Sequence, residues 1–283
     1  MYKPGVIRRR MTGIGLGSLF ILVWLLQGWA MRAVLAVFSV IGVMEVYSAL
    51  EHRGSKPVKW VGVGFMALCL PACHFGGLTG MFLLAAASTV VGLCAVMLKG
   101  DIESDALFST LFPILYPGIL FGLLIAPTYI EAPMYARVLT GLTYYTAIFN
   151  DIAAYEIGSL YGKKLLAPKL SPKKTVEGSA AGWAASVVTA VVVPLLMMLA
   201  CKIVPAWQQY AGQFPPLWSC AVFGAVAGVA GQFGDLCASA IKRYCGVKDY
   251  GTIFPGHGGV MDRMDSHLFN GLCAAIFMLL LAA

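Results

Sequence analysis

Long uninterrupted apolar runs constrain this chain more than any other feature. Stretches such as 79–98 and 178–201 contain no charged residue, and each is long enough to cross the roughly 30 Å of bilayer hydrocarbon as a helix rising about 1.5 Å per residue. Of the 283 residues, 59% are hydrophobic and only 12% charged, with a mean hydropathy of +0.81, whereas soluble domains are about 25% charged. A soluble globular enzyme is excluded. A transmembrane β-barrel would show alternating segments of about 10 residues, and here the runs are continuous. The expectation is an all-α polytopic integral membrane protein, because helices satisfy their own backbone groups in lipid.

The runs predict about nine transmembrane helices, at 12–30, 31–50, 60–76, 79–98, 106–127, 134–155, 178–201, 216–240 and 265–283. With the N-terminus in the cytoplasm, 17 of the 20 Lys and Arg fall on inward segments: Lys3 and Arg8 to Arg10; Arg53, Lys56 and Lys59; Lys99; Lys163, Lys164, Lys169, Lys173 and Lys174; Lys242, Arg243, Lys248 and Arg263. Only Arg32, Arg137 and Lys202 face outward, a strong positive-inside bias. The arginine triplet before an apolar run resembles a signal peptide, but no small-x-small cleavage site follows, so it reads as a retained first helix. Cys69, Cys73 and His74 are the one cysteine cluster. Packed thiols explain it better than zinc, since no CxxC pair is present.

Charges are expensive in a membrane, so where they gather points to chemistry. Residues 235–265 hold four acids, Asp235, Asp249, Asp262 and Asp265, and four bases, Lys242, Arg243, Lys248 and Arg263. Helical spacing puts Asp235, Ser239 and Lys242 on one face, and an intramembrane Asp235–Lys242 ion pair is the plain structural reading. Next comes Phe254-Pro-Gly-His-Gly-Gly259, a glycine-rich turn feeding the last span. Such a turn lets backbone N–H groups converge on an oxyanion, aided by the positive end of the helix that follows. Asp262 and Asp265 lie at i and i+3 on that helix, where Asp265 alone could be a capping residue. Carboxylates, cations and a glycine turn together suit Mg²⁺ on a polyphosphate.

A second cluster, between Asp151 and Glu177, carries five lysines. It suits a basic patch attracting anionic lipid, or, through Ser171, Lys173, Lys174 and Thr175, a seat for nucleotide phosphates. Gly224, Gly228, Gly231 and Gly234 allow a neighbouring helix to approach closely. Small-residue faces of this kind serve internal packing or a homodimer equally. Glu45, in the second span, reads as a paired or protonated carboxyl near the cytoplasmic interface, with no role in the reaction.

These residues resemble the bacterial phosphatidate cytidylyltransferase (CDP-diacylglycerol synthase) family. Its C-terminal signature, loosely S-x-x-K-R-x4-K-D-x-G-x2-[IF]-P-G-H-G-G-x-x-D-R-x-D, is met from Ser239, Lys242 and Arg243 through Lys248, Asp249, Gly251 and Phe254 to Asp265. A second block, D-x-x-A-Y … A-P-x-x-S-P-x-K-T-x-E-G, is met from Asp151 and Tyr155 through Ser171, Lys174 and Thr175 to Gly178. Glu156 and Tyr161 depart from the aromatic and arginine-rich sequence of many relatives. The first 140 residues match in hydropathy and spacing alone.

The resemblance implies CTP + phosphatidate → CDP-diacylglycerol + pyrophosphate, at the cytoplasmic face of a bacterial inner membrane, by a nucleotidyltransferase of phospholipid biosynthesis. It implies Mg²⁺, with or without an accompanying monovalent cation, held by Asp235 and Asp262 with Asp265 nearby. Lys242, Arg243, Lys248 and Arg263 would neutralise phosphates. Ser239 and the His257-Gly258-Gly259 turn would hydrogen-bond them, with Asp249 beside these. Asp151, Ser171, Lys173, Lys174 and Thr175 fall at the nucleotide. CTP, phosphatidate and membrane lipid are then the partners, with no nucleic acid polymer. Residues 1–140 form a transmembrane scaffold, and 141–283 a catalytic region with cytoplasmic loops at 156–177 and 241–264. A CTP-using polyprenol or phytol kinase and an anion or lipid transporter are the rival classes. The full signature disfavours the kinase, and the clustering of charge at one face disfavours the transporter.

Overall fold

The computed structural model describes residues 15, 17–100 and 104–282. Lys3, Arg8, Arg9, Arg10 and the start of the first expected span lie outside the described residues. The helices are α1 (Gly17–Leu26), α2 (Gly28–His52), α3 (Lys59–Leu98), α4 (Ser104–Pro113), α5 (Leu120–Ile125), α6 (Pro133–Tyr161), α7 (Val176–Ile203), α8 (Leu217–Tyr244) and α9 (Met261–Ala282). A wider helical turn at Ile114–Ile119 joins α4 to α5, and a two-stranded hairpin of β1 (Leu165–Ala167) and β2 (Ser171–Thr175) precedes α7.

Among the described residues, five helical segments are long and apolar enough to cross a bilayer: Gly28–His52, Lys59–Leu98, Asp105–Tyr129, Val176–Ile203 and Leu217–Tyr244. The fold is that of an all-helical integral membrane protein. Within the 40-residue α3, Gly77 leaves helical geometry at φ 57, ψ −146. The break falls between the two runs that the sequence separates at 76 and 79, and glycine tolerates the positive φ that a side chain would resist. Helices α6 and α9 form over the sixth and ninth expected spans.

The chain forms two compact units, residues 1–126 with 241–264, and 127–240 with 265–283. In the first unit, Tyr47, Phe65, Phe121, Met31 and Leu35 are fully buried. Tyr47 Oη donates to Thr110 O at 2.8 Å, and Thr110 Oγ1 in turn accepts from Val58 N at 2.8 Å and donates to Ala106 O at 2.7 Å. A polar chain of this sort is required wherever hydroxyls enter an apolar interior, because unpaired ones cost free energy there.

In the second unit, α6 and α7 pack along their length, and the glycine stripe of α8 serves packing as its spacing suggested. A Cβ at Gly224 would press on Ala190, and one at Gly228 on Ser186; at Gly231 and Gly234 it would meet Asn270 and Phe269 of α9. The expected loop 156–177 is shorter than the sequence suggested. Helix α6 continues to Tyr161, and the rest folds as an antiparallel hairpin with Leu165 opposite Thr175 and Ala167 opposite Ser171. Pairing the strands satisfies backbone groups that a bare loop would leave to water.

Replacing Tyr47 with Phe removes a buried hydrogen bond and leaves the Thr110 carbonyl without it. Tyr47→Phe is expected to destabilise the protein by about 1–2 kcal/mol, read as a lower midpoint of thermal unfolding in detergent.

Candidate functional site

The polar residues collect in two centres, one in each unit. In the second unit they surround a cavity of about 430 Å³ lined by Asn150, Asp151, Lys173, Lys174, Thr175, Ser179, Gln232 and Asp235, among others. That volume falls within the roughly 300–1,000 Å³ usual for small-molecule sites. Three helix segments and the hairpin supply it: α6 brings Asn150 and Asp151, β2 Lys173 to Thr175, α7 Ser179, and α8 Gln232 and Asp235. Asp235 forms an ion pair with Lys174, and both side chains keep contact with solvent, at 24% and 28% exposure.

An uncharged network secures this cavity. Asn150 Nδ2 donates to Gly228 O at 2.8 Å, and Gln232 Nε2 donates to Asn150 Oδ1 at 3.0 Å and Ser179 O at 2.9 Å. Ser179 Oγ donates to Gln232 Oε1. Gln232 stands one helical turn before Asp235, so the network fixes the segment that presents the carboxylate. Thr175 caps α7 by accepting from Gly178 N at 3.2 Å, the cap expected of Thr before a helix. Glu177 closes the hairpin's entry by accepting from Lys163 N at 3.0 Å and Lys164 N at 3.2 Å.

The first unit's centre is a tight knot around Asp262. Its Oδ1 accepts from Lys242 Nζ at 2.8 Å, and its Oδ2 from Tyr250 N at 2.8 Å and Gly259 N at 2.9 Å. Lys242 and Asp262 side chains are 11% and 3% exposed. Glu45 accepts from Val260 N at 3.0 Å and Met261 N at 2.8 Å. Three successive amides at the start of α9 therefore end on protein carboxylates. The Gly259 amide, read from sequence as a phosphate donor, goes to Asp262 here, because a helix N-terminus draws in the nearest negative charge. The turn before it is closed by Phe254 N donating to Gly258 O at 2.9 Å and His257 N to Phe254 O at 2.8 Å. Gly256 and Gly258 take φ of 77° and 82°.

The structure thus brings Asp151, Lys173, Lys174, Thr175 and Asp235 together in one cavity, and Lys242, Gly259 and Asp262 in the other centre. Both charges of the anticipated Asp235–Lys242 pair have other partners: Asp235 takes Lys174, and Lys242 takes Asp262. Ser171 begins β2 and is not among the cavity's lining residues. Arg243, Lys248, Asp249 and Arg263 are exposed, Arg243 donating to Val247 O at 3.3 Å. Ser239 and Asp265 are buried in the second unit, Asp265 Oδ1 accepting from Ser266 N at 2.8 Å.

Among the described residues no three His, Cys, Asp or Glu gather as a cage for a metal. Mg²⁺ carried by a polyphosphate needs none, since one or two carboxylates suffice beside water and phosphate oxygens. Asp235, part-exposed and already facing an ammonium, fits that demand. Asp262 offers the oxygen that faces Lys242. Sequence reasoning missed Asn150, Ser179 and Gln232 because a search on charge passes over amides and hydroxyls. It also left Glu45 without a role.

Comparison with known proteins adds a chemical frame. Residues 7–281 match a family described as the cytidylyltransferase family. Phosphatidate cytidylyltransferase 4, chloroplastic, of Arabidopsis thaliana is 28% identical over 98% of this chain and 74% of its own. The phosphatidate cytidylyltransferase of Staphylococcus saprophyticus is 41% identical over 42% of this chain and 41% of its own. That of Bacillus subtilis is 40% identical over 46% and 45%. The chain thus matches less than half the length of these two bacterial relatives.

The two ion pairs should respond differently to loss of the lysine. Lys242→Met strands a buried carboxylate and is expected to cost about 3 kcal/mol or more. Lys174→Met strands one that water reaches and is expected to cost under about 1 kcal/mol. Thermal unfolding of both variants in the same detergent measures the contrast.

Proposed function

The chain belongs to the cytidylyltransferase family of nucleotidyltransferases, and we propose that it joins CTP and phosphatidate into CDP-diacylglycerol, releasing pyrophosphate, in phospholipid biosynthesis. The observation that carries this reading is the second unit's cavity, where Lys173, Lys174, Thr175, Asp151 and Asp235 line one space. Cations for phosphate, a carboxylate for a phosphate-borne metal and a volume fit for a nucleotide coincide there. The names of the relatives from Arabidopsis, Staphylococcus and Bacillus agree with it.

A phosphate oxygen of phosphatidate forms the new bond to the α-phosphorus of CTP. The bond from that phosphorus to the bridging oxygen breaks, and pyrophosphate leaves with the electron pair. The attacking oxygen is already ionised near pH 7, so no side chain is needed as a strong general base. What remains is positioning and neutralisation of charge. Lys173 and Lys174 draw the triphosphate into the cavity, and the Thr175 hydroxyl, which accepts from Gly178 N, keeps its own O–H to donate to a phosphate. Asp151 and Ser171 complete the nucleotide's surroundings.

Lys242, Arg243, Lys248 and Arg263 offset the remaining phosphate charge, with Ser239, Asp249, His257, Gly258 and Gly259 beside them. Asp235 and Asp262, with Asp265 as a neighbouring carboxylate, are the residues we assign to Mg²⁺. Mg²⁺ held by these carboxylates would supply charge neutralisation of the triphosphate and polarisation of the α-phosphate. A monovalent cation can accompany it. We further infer nine spans, a cytoplasmic N-terminus and a site facing the cytoplasm of a bacterial inner membrane. The 17 inward Lys and Arg support that orientation. In this reading residues 1–140 are scaffold and 141–283 carry most of the reacting groups.

Purified protein with phosphatidate and Mg²⁺ is expected to label lipid from CTP carrying label in the α-phosphate and not in the γ-phosphate. Lipid labelled from the γ-phosphate would mean a kinase. Asp235→Asn is expected to abolish this turnover with its unfolding midpoint nearly unchanged; retained turnover would remove Asp235 from the site. Chelation of Mg²⁺ is expected to stop the reaction, and added Mg²⁺ to restore it.

A further inference from the structure

Four glycines of the signature divide into two kinds. Gly256 and Gly258 sit at positive φ, where glycine is needed for the backbone itself. Gly251 and Gly259 do not, so their φ does not by itself require glycine. A Cβ at either one, however, would run into the carboxylate of Glu45, a contact that a real side chain could not make. Two positions are therefore kept bare of side chain by one residue of a distant helix, since Glu45 precedes Val260 by 215 residues.

The same helix holds the loop at its other end. Arg53 Nη1, just past α2, donates to Tyr244 O at 2.8 Å, with its guanidinium 3.7 Å from the centre of the Tyr244 ring. His52 Nδ1 lies 3.2 Å from Cys245 O, a contact in which the ring nitrogen donates. Phe38 packs its ring 6.2 Å from that of Phe254. Helix α2 and its C-terminal cap thus grip the end of α8, the middle of the loop and the start of α9. Glu45 is the deepest of these contacts, at 7% exposure, and both its oxygens are engaged by backbone amides.

We propose that Glu45 is a positioning residue for the reaction, setting the Gly258–Asp262 turn, and with it the Asp262 carboxylate, from α2. The assignment rests on the functional reading above, which gives the signature loop its part in catalysis. Glu45 is assigned no contact with substrate, because it is buried and each of its oxygens already faces a backbone amide of the turn. It acts by fixing the amides of Val260 and Met261, the two residues before Asp262. A residue of this kind affects how accurately reacting groups are held, and so the turnover number more than substrate affinity.

The test uses the full-length protein in detergent, with kcat, KM for CTP and unfolding midpoint measured for Glu45→Gln, Glu45→Asp, Gly259→Ala and the double variant Glu45→Asp/Gly259→Ala. Glu45→Gln sets an amide N–H against a backbone N–H, and is expected to lower kcat at least tenfold while KM for CTP moves less than about threefold. Gly259→Ala is expected to lower kcat as well. The double variant should retain more activity than the product of the two single effects, because the shorter acid makes room for the methyl group.

Wild-type kcat in both Glu45 variants, or strictly multiplicative effects in the double variant, would overturn the proposal. Should Glu45→Gln fail to fold, the cycle with Glu45→Asp decides; if Glu45→Asp also fails to fold, the carboxylate is purely structural and the proposal is wrong. Wild-type protein assayed alongside separates the two levels. Absence of cytidylyl transfer by the wild type would sink the functional reading rather than the role of Glu45 within it.

Discussion

Two charges withdrawn from water each lose several kcal/mol of hydration even after the protein relaxes, and at the Lys242–Asp262 pair three hydrogen bonds to the carboxylate offset that loss. One carboxylate oxygen faces the ammonium, and the other collects the amides of Tyr250 and Gly259. The loop between α8 and α9 is thereby tied at its start, middle and end to a single side chain. Lys242, Tyr250 and Gly259 are held directly by that knot. Gly256 and Gly258 bend the chain so that its turn closes on itself, and Glu45 takes the next two amides in line. The segment leaves Arg243, Lys248 and Arg263 exposed to solvent.

The second unit follows a different rule with the same purpose. Its cavity is stabilised by neutral groups, Asn150, Ser179 and Gln232, whose hydrogen bonds run between α6, α7 and α8. Neutral amides lose far less on burial than charges do, so Asn150 sits deeper in the bundle than Lys174 or Asp235. The ion pair is left at the cavity wall, part-wetted, where it can exchange partners at little expense. Buried pairs hold shape and exposed pairs remain available, a division set by hydration rather than by residue type.

Much of this was legible in one dimension. Long uncharged runs announced the helices, and the clusters around 151–177 and 235–265 announced where charged side chains gather. The break in α3 at Gly77 and the glycine stripe of α8 were visible as spacing. Other features were not. Asn150 and Gln232 carry no charge and interrupt no run, so nothing in the sequence marks them apart from other polar residues within spans. The partner of Asp235 was not legible either, because helical spacing weighs only neighbours on its own helix. Its ammonium comes instead from the hairpin, a segment read as loop. The hairpin itself depends on backbone pairing across Pro168 and Lys169, to which hydropathy is blind.

The sequence by itself determined the solvent, the helical class and the chemical inventory, because continuous apolar runs of this length suit a membrane as helices and make each charge conspicuous. Tertiary structure decided who meets whom. Lys174 and Asp235 are 61 positions apart, and Glu45 and Val260 are 215 apart. Their contacts follow from how helices pack, which local spacing does not encode. That is why Glu45 looked idle in the sequence, while the glycines at 251 and 259 were already shaped around it.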